Sequence, residues 1–221
     1  MEKKLRTASL CVQGGYEPKN GEPIEVPIIQ STTFKYDNSE EMAMLFDLKK
    51  EGYFYTRLQN PTNDAVAKKI AQLEGGVGAV LTSSGQAANF YAVFNICEAG
   101  DHIVTSNEIY GGTYNLFGVT LKKLGIECTY VNPNASEEEI QKAFRPNTKV
   151  VFGETISNPG ALCSTSRSLH ASPIRTVCLS LSTTHSLHLS TAARLSGAQT
   201  SSHTALPSTW TAQRARLVAW L

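Results

Sequence analysis

The chain has 221 residues, 41% of them apolar and 18% charged, with a formal net charge of +1. That length buries a real core in one large or two small domains, and the near-neutral balance gives no reason to expect nucleic acid or an acidic surface as partner. The five cysteines are odd in number, scattered and without metal-ligand spacing, so reduced thiols in a cytoplasmic protein are expected, with no metal site. No apolar run approaches the ~18 residues of a membrane span, and Met1-Glu2-Lys3-Lys4 leads into no secretion signal.

In chain order, residues 1–60 read as an arm. Pro18, Pro23 and Pro27 with Gly14, Gly15 and Gly21 predict extended chain, and a short helix is expected only near Glu40–Lys50. An arm without a core of its own is expected to lie across another surface, a second subunit being one choice. Tyr53-Phe54-Tyr55-Thr56-Arg57 follows, where Arg57 reads either as a stacked surface group or as a phosphate ligand. Pro61 then opens a helix that runs through Asp64, Ala67, Ile70 and Leu73 to Gly75-Gly76.

From Ala79 the pattern alternates. Short apolar strands are predicted at 79–82, 102–105, 127–131 and 149–153, with helices at 86–97, 113–124 and 136–144 between them. This is the pattern of an α/β fold, a mostly parallel sheet with crossover helices. Ligands of such sheets sit past the carboxyl ends of the strands, which singles out Ser83–Gln86, Ser106–Gly112 with Tyr110, and Glu154–Pro159 with Asn158. The Ser83-Ser84-Gly85-Gln86 turn reads either as an ordinary serine-capped helix start or as a cradle for a phosphate or carboxylate. Tyr110, on a loop before Gly111-Gly112, offers an aromatic face for stacking, while Asn158 before Pro159 is compatible with a plain turn.

Taken together, five segments resemble the Cys/Met-metabolism branch of the pyridoxal-phosphate enzymes, over residues 5 to about 162. They are Tyr55-Thr56-Arg57 with Asn60-Pro61-Thr62, Leu73-Glu74-Gly75-Gly76, Ser83-Ser84-Gly85-Gln86-Ala87-Ala88, Tyr110-Gly111-Gly112-Thr113-Tyr114-Asn115-Leu116-Phe117, and Glu154-Thr155-Ile156-Ser157-Asn158-Pro159. Gln86 points to the sulfhydrylases that act on O-acetylhomoserine, since cystathionine lyases and synthases usually carry methionine there. The resemblance implies the fold type I large domain, of which residues 61–159 would be the N-terminal half. It implies pyridoxal 5'-phosphate as cofactor, with Ser84, Gly85 and Gln86 at its phosphate and Tyr110 stacked on its ring. Tyr55 and Arg57 would reach the phosphate of a neighbouring subunit, and Asn158 the cofactor oxygen and substrate carboxylate. It also implies a transferase of transsulfuration and methionine biosynthesis that turns O-acetylhomoserine and sulfide or a thiol into homocysteine and acetate. A small amino acid as substrate and a homo-oligomer follow, with no nucleic-acid or membrane partner. Cystathionine gamma-synthase or lyase and methionine gamma-lyase are the alternatives in the branch.

The chemistry requires two groups that are missing. Pyridoxal phosphate needs a lysine that bonds to it and an acid that keeps its ring nitrogen protonated. In the family both follow the Asn-Pro segment, but here the last lysine is Lys149 and the last acid is Glu154. Residues 1–159 hold all 19 acids against 15 basic residues, whereas residues 160–221 hold five arginines and no acid or lysine. About a third of this tail is Ser or Thr, and it is expected to be disordered. Its composition fits a shifted reading frame. Moving the frame back one base lets Ser164–Arg175 read Phe-Asp-Ile-Glu-Lys-Ser-Ala-Arg-Ile-Ala-His-Pro, and lets Cys178–Ser190 contain Val-Asp-Asn-Thr-Phe. Ser202–Ala212 likewise admits Ser-Thr-Thr-Lys. One base lost near Leu162 and Cys163 is inferred, the aspartate codon overlapping Ser182 and Thr183 and the lysine codon Pro207 and Ser208. The literal chain then reads as a non-catalytic, truncated fragment. Its sheet would end at 149–153 with an unpaired edge that invites aggregation.

Overall fold

The computed structural model describes residues 5–74, 76–154 and 157, together with the backbone of strands at 179–185, 201–205 and 216–219. The chain divides into two compact units, Met1–Leu73 and Glu74–Leu221.

The first unit is an arm with three helices, α1 (Thr7–Gln13), α2 (Ser39–Phe46) and α3 (Pro61–Glu74), the last ending at the unit boundary. Helix α1 was not expected. It buries none of its residues, so no apolar stripe marks it in the sequence. Helix α2 falls within the expected segment, where the Asn38 side chain accepts from Glu41 N at 2.8 Å and Glu40 and Glu41 favour the positive end of the dipole. Helix α3 begins at Pro61 as predicted, and the arm is tied to it by backbone groups. Thr62 Oγ1 donates to Pro27 O at 2.7 Å and accepts from Ile29 N at 2.9 Å, and Asn60 Nδ2 donates to Ile29 O at 3.0 Å. A proline-rich segment has few ladder partners, so side chains of the helix start satisfy its amides and carbonyls. The helix therefore belongs to the arm's unit, and the division falls after Leu73, not after residue 60.

The second unit is built on a seven-stranded sheet. Its elements are β1 (Gly78–Leu81), α4 (Gly85–Phe94), β2 (His102–Ser106), α5 (Gly111–Asn115), β3 (Glu127–Val131), α6 (Glu137–Lys142) and β4 (Thr148–Glu154). Then come β5 (Leu179–His185), β6 (Ser201–Ala205) and β7 (Arg216–Ala219). The strand order is β1-β7-β6-β5-β4-β2-β3, and only β7 runs against the others. The α/β class and the first four strands agree with the sequence pattern to within two residues. Two expectations do not hold. The tail supplies three strands, and the far edge of β4 pairs with β5, Glu154 facing Thr183, so the sheet's edges are β1 and β3 instead. Strand β5 begins Leu179-Ser180-Leu181-Ser182, an alternation of four residues too short to outweigh the tail's polar composition. The rest of the tail lies outside the described residues, as does Asn158.

Strand alternation sorts the core onto two faces. Ile103, Val150 and Phe152 pack with Ala92 and Val93 of α4 and with Phe117 and Leu121, whereas Val104, Val131 and Val151 pack on Ile140 of α6. Phe117 meets Phe152 edge-on at 4.7 Å, and each is fully buried, worth ~1.5–3 kcal/mol apiece. The helix expected over 113–124 is broken: α5 passes into a π-helical turn at Leu116–Leu121. There a Cβ on Gly118 would stand 2.9 Å from Tyr130 Oη, so the wide turn sits where a side-chain-free residue lets that ring approach. Tyr130 in turn stacks on Tyr114 at 3.9 Å and donates to Tyr114 O at 2.6 Å.

Candidate cofactor site

Because β1 to β6 run in one direction, the loops after β1, β2 and β4 emerge on one edge. The chain reverses direction across the sheet between β2, whose successor β3 lies outward, and β4, which lies on its other side. Such a reversal is where α/β sheets open a crevice.

The turn after β1 forms the first part of the site. Ser84 is the extended N-cap of α4 and its hydroxyl accepts from Ala87 N at 3.1 Å, while Thr82 Oγ1 donates to Ser84 O at 2.9 Å. This leaves Gly85 and Gln86 as the opening amides of a ten-residue helix, aimed outward with the dipole behind them. The loop after β2 forms the second part. Tyr110 caps α5, its side chain is 43% exposed, and its backbone N donates to Glu154 Oε1 at 3.1 Å. Glu154, 2% exposed at the end of β4, thus holds the Tyr110 loop against the next strand but one in sequence.

The two parts are joined by side chains. Thr113, fully buried in α5, accepts from Gln86 Nε2 at 3.2 Å and from Asn89 Nδ2 at 2.9 Å. A Cβ on Gly112 would lie 2.5 Å from Tyr110 Cε1 and 2.9 Å from Gln86 Nε2, so this glycine lets the ring and the amide close on one another. Gln86 Oε1 is buried and has no hydrogen-bond partner among the described residues. A buried acceptor of this kind calls for a donor, which a phosphate does not offer.

Ser84, Gly85, Gln86 and Tyr110 are therefore brought together. Tyr55 and Arg57 belong to the first unit, where the Arg57 guanidinium lies 5.0 Å from the centre of the Tyr55 ring. Their turn is pinned by Asn60, whose Nδ2 donates to Thr56 Oγ1 at 3.1 Å. Asn89 was not singled out in the sequence, and Thr113 and Glu154 entered only as members of the segments 110–117 and 154–159, with no role of their own. Burial pushes the thiols of Cys97 and Cys128 up to about 12, which keeps these two protonated.

The described residues fit the phosphate and ring of a pyridoxal phosphate. The described lysines of this unit are Lys122, Lys123, Lys142 and Lys149. The first three lie at the ends of the helices that precede β3 and β4, and Lys149 is five residues before the end of β4, about 17 Å from the site's edge.

A family model for the Cys/Met metabolism PLP-dependent enzymes matches residues 8–165. This chain belongs to that family. The O-acetyl-L-homoserine sulfhydrylase of Corynebacterium glutamicum is 51% identical over 136 residues, 62% of this chain and 31% of that protein. The enzyme of the same name from Leptospira meyeri is 41% identical over 160 residues, 72% of this chain and 36% of that protein. The chain thus spans about a third of the length of the curated relatives it matches. A crystal structure from Campylobacter jejuni that carries N'-pyridoxyl-lysine-5'-monophosphate superposes with a TM-score of 0.84 at 27% identity. It covers 98% of this chain and 54% of its own. For this member of the family, likeness in space extends past residue 165, where the family model's match stops.

Proposed function

We propose that this chain carries the cofactor-holding part of a pyridoxal-phosphate enzyme of O-acetylhomoserine sulfhydrylase type, in a cytoplasmic homo-oligomer. The reaction replaces the acetate on the gamma carbon of O-acetylhomoserine with sulfide or a thiol. The observation that carries the reading is the Gln86–Thr113 contact, which brings an anion-accepting helix start and the Tyr110 ring platform onto one edge. The Gly85 and Gln86 amides and the Ser84 hydroxyl hold the phosphate, and Tyr110 covers the ring. Tyr55 and Arg57 reach the phosphate of a neighbouring subunit, and Asn158 receives the substrate carboxylate. Bound there, the cofactor supplies an electron sink for the substrate's alpha carbon. Phosphate anchoring keeps the reacting carbon in place, which lowers the entropic part of the barrier.

A second reading concerns the literal chain, which we propose does not turn over. It has no lysine after Lys149 and no acid after Glu154. The shifted frame accounts for both. The recovered aspartate codon ends at Thr183, the residue of β5 that faces Glu154, and the recovered lysine codon ends three positions after Ala205, the last residue of β6. Both strand ends lie on the cofactor's edge of the sheet. The test is a pair of assays, on the literal chain and on one with the base restored, with O-acetylhomoserine plus sulfide against cystathionine and methionine. Homocysteine and acetate from the restored chain alone are expected. Preferential cleavage of cystathionine or methionine would move the chain to another activity of the branch, and turnover by the literal chain would refute the second reading.

A further inference from the structure

Two elements from distant parts of the sequence must keep a fixed spacing if one flat, charged molecule is to be held at both ends. The phosphate end would lie on α4 and the ring end on the Tyr110 loop, and β1 and β2, which lead into them, are five strands apart in the sheet, roughly 24 Å. The sheet alone is a long lever between them. What closes the distance locally is one oxygen. Thr113 Oγ1 accepts two amide N–H groups from α4, at 3.2 Å from Gln86 and 2.9 Å from Asn89, three residues after Tyr110. A hydroxyl oxygen has two acceptor sites, and both are used. The residue is fully buried, so no solvent replaces either bond.

We propose that Thr113 is the positioning residue that sets the Tyr110 ring platform relative to the phosphate cradle. This rests on the pyridoxal-phosphate reading above. Thr113 touches neither end of the cofactor; it acts through Gln86 and through the first turn of α5. Gly112 is the other half of the joint, because the Tyr110 ring and the Gln86 amide both occupy the space a Cβ would take. Losing the hydroxyl removes the acceptor that the Gln86 and Asn89 amides share and frees the α5 start to shift, while the Gly85 and Gln86 backbone amides remain where Ser84 caps them.

The consequence is a split between two ligands. Inorganic phosphate needs only the cradle, whereas pyridoxal phosphate needs cradle and platform in register. The test is calorimetric titration of the full chain and its variants with each ligand, the fold being followed by circular dichroism. Thr113→Val is expected to bind pyridoxal phosphate about tenfold more weakly and inorganic phosphate within about twofold of wild type, Thr113→Ser recovering most of the loss. Gly112→Ala, which helix propensity favours, is expected to show the same split because its methyl displaces the ring. It keeps the proposal testable if the valine variant does not fold. Equal weakening of both ligands, or wild-type affinity for pyridoxal phosphate in Gly112→Ala or in a folded Thr113→Val, would overturn the positioning role. A wild-type chain that binds neither ligand would instead overturn the cofactor reading itself, and the proposal with it.

Discussion

Glu154 shows what a single buried acid does for a binding loop. Its Oε1 accepts from Tyr110 N at 3.1 Å, so the platform's backbone is fixed to the carboxyl end of β4. Glu154→Ala is expected to destabilise the unit by ~0.5–1.5 kcal/mol, the net worth of one hydrogen bond, and Glu154→Gln by less because its carbonyl still accepts. Urea unfolding midpoints of the two variants decide it; equal losses would mean that charge, not the hydrogen bond, is what counts. For the Tyr110 side chain the expectation rests on its ring. Tyr110→Phe should keep pyridoxal-phosphate affinity within about threefold, and Tyr110→Ala should lose about tenfold, as stacking without a required hydroxyl demands. Titration of both variants with the cofactor checks this. Gly85, Gln86 and Tyr110 were legible in the sequence because small-residue turns and strand ends are local signals. The joining role of Thr113 and Asn89 was not, since the bond between them links residues 24 positions apart and membership of Thr113 in the 110–117 segment does not show its partner.

At the scale of elements, the edge of the sheet opposite the site is closed by His102. It is fully buried at the start of β2, with Nδ1 2.8 Å from Thr148 Oγ1 of β4 and Nε2 2.8 Å from Thr129 Oγ1 of β3. One imidazole therefore ties three neighbouring strands. Burial, with the Arg145 charge adding to it and Glu127 opposing, lowers its pKa below the ordinary histidine value. Below about pH 6.5 the unfolded chain then binds the proton more readily than the folded one, so stability is full above that pH and declines as pH falls toward the folded value. Urea midpoints between about pH 8 and pH 5 should show that decline, and His102→Gln should flatten it; an unchanged slope would assign it to other groups. Strands β1 to β4 were readable because each is an apolar run between turn signals. Helix α1 and strands β5 to β7 were not, since α1 buries no residue, β5 and β6 are rich in Ser and Thr, and the short apolar run Leu217–Leu221 at β7 stands in a tail whose composition argues against a sheet. Strands β5 and β7 pair with β4 and β1, which do carry the pattern, and β6 lies between them, so their place is tertiary context and not local preference.

For the whole molecule, the sheet and the reading frame make separate demands. The sheet requires strands beside β4, and β5 and β6 meet that demand with backbone hydrogen bonds, to which side chains are largely indifferent. Catalysis requires particular side chains at the ends of those strands, and backbone pairing cannot provide them. An unpaired edge at β4, expected from the sequence, is thus absent, while the given sequence still has no lysine after Lys149. The two demands separate in one experiment. Both chains, literal and frame-restored, are mixed with pyridoxal phosphate, treated with borohydride and digested for mass spectrometry. The restored chain should carry a pyridoxyl group on the lysine whose codon overlaps Pro207 and Ser208, and its absorbance should change on mixing. The literal chain should retain the cofactor only through its phosphate and ring, so that borohydride fixes nothing at one site and dialysis removes it. A single stoichiometric pyridoxyl-lysine in the literal chain would mean that one of its existing lysines reaches the edge that the strand geometry places about 17 Å from Lys149, and the frame-shift account of its inactivity would fail.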